Sequence, residues 1–173
     1  MPAYHSSFNE EPDVRFVGNL SLLPFKSKIR GPAPIGTYSK RLLSLPDPAS
    51  LDIIDETLDL FRANSLFRNF EIKGPADRLL IILILFISDC LSKIASSPKV
   101  PTQIEATKLL NTLAVDNFPI PGDANFQLNA HYATPSNRTE ADSLRQYLVQ
   151  ARQETAGRLV EKLYADGTGK PSK

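Results

Sequence analysis

The residue types that could support catalysis or bind a metal are few and widely separated in this sequence. There are two histidines, His5 and His131, and one cysteine, Cys90. A zinc site needs several such ligands at short spacings, and a nucleophilic cysteine needs a neighbouring base. Cys90 instead adjoins an apolar run, which is typical of a buried, inert thiol. Glycine-rich phosphate loops and nucleophile-elbow motifs are also missing, so we predict no enzyme active site, no metal, no cofactor and no small-molecule substrate.

Carboxylates cluster at one place, where Asp55, Glu56 and Asp59 share one side of a predicted helix. Calcium motifs place their carboxylates in a loop that turns at a glycine, and this segment has neither. We therefore interpret these acids as a solvated helix face.

Basic residues cluster between positions 26 and 41, a stretch without acidic residues. It contains Lys26, Lys28, Arg30, Lys40 and Arg41. Nucleic acid is one candidate partner for the stretch, but Tyr38 is its only aromatic residue, and a net charge of +1 gives no global attraction to nucleic acid or to an anionic membrane. An acidic protein surface is the favoured partner, and a free-standing helical module that binds nucleic acid is the alternative.

Length and composition predict one globular domain. The chain has 173 residues, of which 42% are hydrophobic and 23% charged, values within the range of folded domains. A lone cysteine and an N-terminus without a secretory signal favour the cytoplasm. The longest apolar run, Leu79 to Ile87, is far shorter than the roughly 20 residues that span a bilayer, so we expect a core element and no membrane contact.

The elements divide into an extended arm, residues 1–47, a helical core, residues 48–166, and a flexible tail, residues 167–173. Prolines at positions 24, 32, 34 and 46 disfavour a sheet in the arm, because each removes a backbone donor. The first helix is predicted to start with Ser50 as its N-cap and Asp52 in its first turn. The second runs from Pro75 to about Ser96, and because Leu79 to Ile87 has no polar face, we expect the other helices to surround it.

Two further helices follow. Thr102 and Glu105 have the spacing of a capping box at the start of the third helix. The long segment from Asn117 to Pro135 is predicted to pack on the domain or to be functional. The last helix begins near Asn137 and ends at Asp166-Gly167, with an apolar face that includes Leu144, Tyr147, Leu148, Ala151, Thr155, Leu159 and Leu163. Its opposite face, which carries Arg145, Arg152 and Glu161, is interpreted as a solvated surface or as a place for a neighbouring subunit.

Several strings, in order along nearly the whole chain, resemble subunit 3 (the p21 subunit) of the actin-related protein 2/3 complex. They are Met1-Pro-Ala-Tyr-His-Ser-Ser-Phe8, Gly31-Pro-Ala-Pro34, Phe70-Glu-Ile-Lys73 with Ala76-Asp-Arg78, Asn117-Phe-Pro-Ile-Pro-Gly122 and Arg152-Gln-Glu-Thr155. The resemblance implies an all-α fold of five helices with one enclosed by the others. Animal members of the family continue past the Lys-Pro-Ser-Lys motif into an aromatic, basic tail, so we expect a naturally short or trimmed form here.

The resemblance also implies a function. We expect a non-catalytic subunit of the seven-subunit assembly that nucleates branched actin filaments, located in the cytoplasm at the cortical actin cytoskeleton. Its partners would be the other subunits, chiefly actin-related protein 3, with the mother actin filament as a further candidate. Exposed arm residues without a core role are the interface candidates, namely Tyr4, His5, Phe8, Lys26, Lys28 and Arg30. The alternative is that Tyr4 and Phe8 pin the arm to its own domain.

Overall fold

The computed structural model describes residues 5–6, 9, 15–23, 25, 52–65, 72–167 and 171. Within these ranges the chain is mostly helical, which confirms the helical class. It forms four α-helices: α1 (Ile53–Ser65), α2 (Pro75–Ala95), α3 (Gln103–Ala114) and α4 (Arg138–Leu163), with a 3-10 turn at Asn129–His131. The domain limits predicted from the sequence stay predictions.

A small sheet departs from the all-α expectation. Strands β1 (Phe16–Val17) and β2 (Leu20–Ser21) pair antiparallel, with Val17 opposite Leu20. The turn between them needs Gly18, whose φ is +60° and whose place for a Cβ lies 2.6 Å from the carbonyl oxygen of Ala133. The prediction against a sheet was wrong here because a two-residue turn closes this hairpin upstream of all four prolines.

Local capping signals set the helix starts. The Thr102 hydroxyl accepts from the Glu105 N–H and the Glu105 carboxylate accepts from the Thr102 N–H, so the predicted capping box is confirmed. Helix α4 begins after Asn137, whose side chain accepts from the Glu140 N–H.

Two helix ends differ from the prediction. The Asp52 carboxylate accepts from the Asp55 N–H and thereby caps α1, while the predicted cap, Ser50, lies outside the described residues. Helix α4 ends at Leu163 rather than at Asp166-Gly167, and residues 164–166 form a turn. The Tyr164 hydroxyl donates to the Pro101 carbonyl there, which fixes the end of α4 to the start of α3.

Helix α2 is the centre of the molecule. It contacts β2 and the other three described α-helices, and eight residues of its apolar part are buried: Leu79, Leu80, Ile82, Leu83, Ile84, Phe86, Ile87 and Cys90. Leu85, however, is 50% exposed, so the expectation that the helix is covered on every side was wrong at this residue. The hairpin and the loop are bonded to this face of α2 at Arg78, two turns before Leu85.

The described helices include none that is long and apolar enough to cross a membrane.

Candidate partner interface

The Asp77 carboxylate fixes the N-terminal arm to the start of α2. Asp77 is fully buried, and its carboxylate accepts from the backbone N–H groups of Ser6 at 2.7 Å and Lys73 at 3.0 Å. His5 Nδ1 lies 2.7 Å from the same carboxylate, and the Asp77 N–H donates to Asn9 Oδ1 at 2.9 Å. A carboxylate in the first turn also suits the positive end of the helix dipole. The arm is therefore anchored through both backbone and side-chain bonds.

Of the six predicted interface residues, the structure places one. The side chain of His5 is 20% exposed and faces Asp77, so its contact lies within the chain. The other five, Tyr4, Phe8, Lys26, Lys28 and Arg30, lie outside the described residues, as does the rest of the 26–41 basic stretch. Their role at an interface stays a prediction.

A second junction joins the hairpin, the long loop and α2. Arg78 donates to the carbonyls of Asn19 at 3.1 Å and His131 at 2.9 Å. The Asn19 side chain accepts from the Ala133 N–H at 2.7 Å and donates to the His131 carbonyl at 3.3 Å, and the Tyr132 hydroxyl donates to the Arg78 carbonyl at 2.6 Å. An open cleft of about 610 Å³ lies here, lined by Asn19, Ile72, Arg78, Ala130, His131, Tyr132 and Ala133. Because these bonds already engage Arg78 and Asn19, we infer that the junction holds the hairpin and the loop on α2 and is not a ligand-binding site.

The loop after α3 is packed on the domain, as predicted. The Asp123 carboxylate accepts from the Ile120 N–H at 2.9 Å and pairs with Arg145 at 3.3 Å. The Ile120 hydrogen bond, followed by the interaction with Arg145, lowers the pKa of Asp123 despite partial burial. Asn129 adds two bonds, to the Gly122 N–H and the Asp123 carbonyl. These contacts give the loop one fixed path over α4.

Arg152 of α4 is buried under this loop. The residue is 4% exposed, and its guanidinium carbon lies 4.3 Å from the centre of the Phe118 ring. That ring packs edge-on against Phe86, with centroids 6.0 Å apart. Burial, and then the charge of Arg145, lower the pKa of Arg152 to about 10, although Asp89 opposes the shift. The prediction of a solvated surface was wrong for Arg152, because Phe118 covers its side chain.

An ion cluster joins α4 to α1. Arg158 binds the Asp52 carboxylate through two nitrogens, at 2.6 and 2.8 Å, and contacts Asp55 at 3.1 Å and Glu154 at 2.9 Å. Burial lowers the pKa of Arg158, but the bonds to Asp52 and Glu154 and the charge of Asp55 outweigh it and raise the pKa. The prediction of a solvated acidic face on α1 was wrong at Asp55, whose carboxylate belongs to this cluster. Asp59 is 50% exposed, as predicted, and pairs with Lys162 of α4 at 3.0 Å.

Cys90 behaves as predicted for a core thiol. It is fully buried, and burial together with the charge of Asp89 raises its pKa to about 12, which opposes formation of the reactive thiolate. Within the described part of the chain, no three His, Cys, Asp or Glu residues are placed so that they could hold a metal ion together.

Sequence reasoning missed the two residues that matter most here. Asp77 was noted only within the Ala76-Asp-Arg78 string, and Arg152 only within the Arg152-Gln-Glu-Thr155 string and on the outer face of the last helix. That string and the place of Arg152 on the outer face of the last helix were the sequence signals that could have drawn attention to it.

Comparisons with known proteins agree over the full length. The family model described as P21-Arc, ARP2/3 complex ARPC3 (21 kDa) subunit, matches residues 1–173. Actin-related protein 2/3 complex subunit 3 of Schizosaccharomyces pombe is 50% identical over 173 residues, which cover 100% of this chain and 91% of the relative. The proteins of the same name from Saccharomyces cerevisiae and Dictyostelium discoideum are 48% and 46% identical, over 92% and 90% of their own lengths. This chain therefore belongs to the P21-Arc family, the family of subunit 3 of the actin-related protein 2/3 complex.

Proposed function

We propose that the protein is a structural, non-catalytic subunit of the actin-related protein 2/3 complex that supports the nucleation of branched actin filaments. The observation that carries this proposal is the full-length family match, with 50% identity to a relative named as that subunit. The folded core supports it, because polar contacts join the arm to α2, the loop to α4 and α4 to α1, and so hold these elements in fixed positions.

The proposed function also includes a specific partner subunit and a place in the cell. We propose that the chain packs chiefly against actin-related protein 3, with the mother filament as a further contact, and that it resides in the cytoplasm at cortical actin. The family assignment supports these proposals, as it does a five-helix bundle. It gives no support to the nucleic-acid alternative, and the basic stretch on which that alternative rests lies outside the described residues.

The test uses the complex with and without this chain. Complex purified from cells that lack the subunit should nucleate pyrene-labelled actin more slowly and form fewer branches by fluorescence microscopy. Adding the purified chain should restore both, and cross-linking of the restored complex should join the chain to actin-related protein 3. Unchanged branching in its absence would contradict the proposed function, whereas restored branching with cross-links only to other subunits would contradict the choice of partner.

A further inference from the structure

Arg152 combines burial, charge and the lack of an acceptor. The residue is 4% exposed. Its guanidinium lies over the Phe118 ring and makes no hydrogen bond within the described residues. A buried guanidinium without a partner is costly, and buried charges in proteins are normally paired. None of its nitrogens is among the fully buried unpartnered atoms of the described residues, so they keep some contact with solvent, and an acceptor from outside the chain can reach them there.

The surroundings of this group have the make-up of an interface. We define the Arg152 patch as Leu85, Asp89, Phe118, Arg145 and Arg152. Leu85 and Asp89 are one turn apart on α2 and both exposed, Leu85 by 50%. Arg145 and Arg152 are two turns apart on α4 and interact electrostatically, as do Asp89 and Arg152. An arginine held against an aromatic ring, on a molecule that also exposes a leucine one helical turn from Asp89, is typical of the residue types found at a protein interface.

We propose that the Arg152 patch is an interface with another subunit of the complex, and that a carboxylate of that subunit binds the Arg152 guanidinium beside Phe118. This inference rests on the proposed function and adds to it a surface and the chemistry of its partner. A carboxylate is the fitting group because it accepts two parallel hydrogen bonds from one edge of a guanidinium, while the ring on the other side holds the guanidinium plane in place.

No carboxylate of the described residues is bonded to the Arg152 guanidinium. Asp89 acts on Arg152 electrostatically but makes no ion pair with it. The Asp123 carboxylate is engaged by Arg145 and by the Ile120 N–H. Burial, and then the like charge of Arg145, disfavour the ionised form of Arg152, whereas the charge of Asp89 favours it. A further acidic partner would stabilise the ionised guanidinium in the same way as Asp89.

The first experiment separates assembly from folding with Arg152→Met. This substitution removes the charge and keeps most of the volume, so the thermal midpoint of the isolated chain should stay the same or rise. The affinity for the remaining subunits should fall about thirtyfold or more. A loss of about thirtyfold is the lower end of the range measured when one partner of a buried interfacial charge pair is removed. Arg138→Met, an exposed arginine at the start of the same helix, is the matched control and should bind like the wild type.

The second experiment identifies the partner group. Arg152→Lys places a primary amine at the patch, and a carbodiimide joins such an amine to a contacting carboxylate as an amide, releasing the urea. Mass spectrometry of the assembled complex should find this amide on an Asp or Glu of another subunit. Coupling only to Asp89, or wild-type affinity of Arg152→Met, would overturn the inference. If the wild-type chain itself failed to join the complex, the proposed function would fail instead.

Discussion

At the scale of single residues, Asp77 shows how one side chain can organise a segment that has no secondary structure of its own. Its carboxylate receives N–H groups from positions 6 and 73 and sits beside His5. With all of these donors buried or half-buried, loss of the acceptor leaves groups that cannot recover their bonds to water.

We therefore predict that Asp77→Asn destabilises the chain by about 1.5–3 kcal/mol, the usual range for hydrogen bonds to a charged group. The amide keeps the shape of the carboxylate but turns one acceptor into a donor that faces other donors. Urea denaturation gives the free energy of unfolding, and hydrogen exchange at the Ser6 amide should become faster. Asp142→Asn, on an exposed part of α4, serves as the control and should change stability by less than about 0.5 kcal/mol. Equal effects of the two substitutions would contradict the anchoring role of Asp77.

At the scale of elements, the contact between α1 and α4 contains three ion pairs: Arg158 pairs with Asp52 and Asp55, and Lys162 pairs with Asp59. In the pair of Arg158 and Asp52 the side chains are 15% and 3% exposed, whereas in the pair of Lys162 and Asp59 they are 58% and 50% exposed. Water screens the exposed pair, while the buried pair would leave an uncompensated carboxylate if it were broken. The two pairs therefore form a matched comparison within one helix contact.

Arg158→Met should cost about 3 kcal/mol of stability, the lower end of the range for breaking a buried pair. Lys162→Met should cost less than about 1 kcal/mol. Both values come from urea denaturation of the isolated chain, and a double-mutant cycle between Arg158 and Asp52 isolates the coupling energy. Similar losses for the two substitutions would show that burial does not decide the strength of this contact.

The attachment of the long loop to α2 should depend on alkaline pH through Tyr132. Burial, the first cause, together with the charge of Asp77, raises the pKa of Tyr132 above its usual value of 10.0, although Arg78 acts in the opposite sense. Below pH 10 the phenol is neutral in both the folded and unfolded states. Above that pH the unfolded state ionises first, so the free energy of unfolding falls by about 1.4 kcal/mol per pH unit for this group.

Tyr132→Phe should remove the part of the alkaline loss of stability that comes from ionisation of this phenol. At pH 8 it should cost about 1 kcal/mol, because the hydrogen bond to the Arg78 carbonyl is lost. Urea denaturation between pH 8 and pH 11 should then show a smaller loss of stability in the variant than in the wild type, with other titrating groups common to both. Parallel curves for the two proteins would mean that Tyr132 ionises freely in the folded state.

The same elements show what could be predicted from sequence. The starts of α2, α3 and α4 depend on caps and prolines that act within four residues, so Pro75, Thr102 and Asn137 could be read directly. The site could not be read in this way, because the contact of Ser6 with Asp77 spans 71 residues. Likewise, only the folded loop reveals that Phe118 covers Arg152.

At the scale of the whole molecule, the core forms two clusters that meet along α2. Leu83 belongs to the first cluster and Phe86 to the second, less than one turn further on, and Leu58 and Phe61 of α1 pack against both. With a shared helix and shared side chains between them, neither cluster can lose its packing without exposing part of the other. The clusters should therefore unfold together.

We predict that a cavity in either cluster lowers one common unfolding transition. Leu83→Ala and Leu110→Ala each empty a fully buried site and should cost about 2–5 kcal/mol. Circular dichroism and tyrosine fluorescence, which is readable because the chain has no tryptophan, should give coincident curves for both variants. Ile104→Ala, at a side chain 71% exposed, is the control and should shift stability by less than about 0.5 kcal/mol. A second transition in either core variant would mean that the clusters fold independently, and α2 would then not couple the arm and loop to the far end of α4.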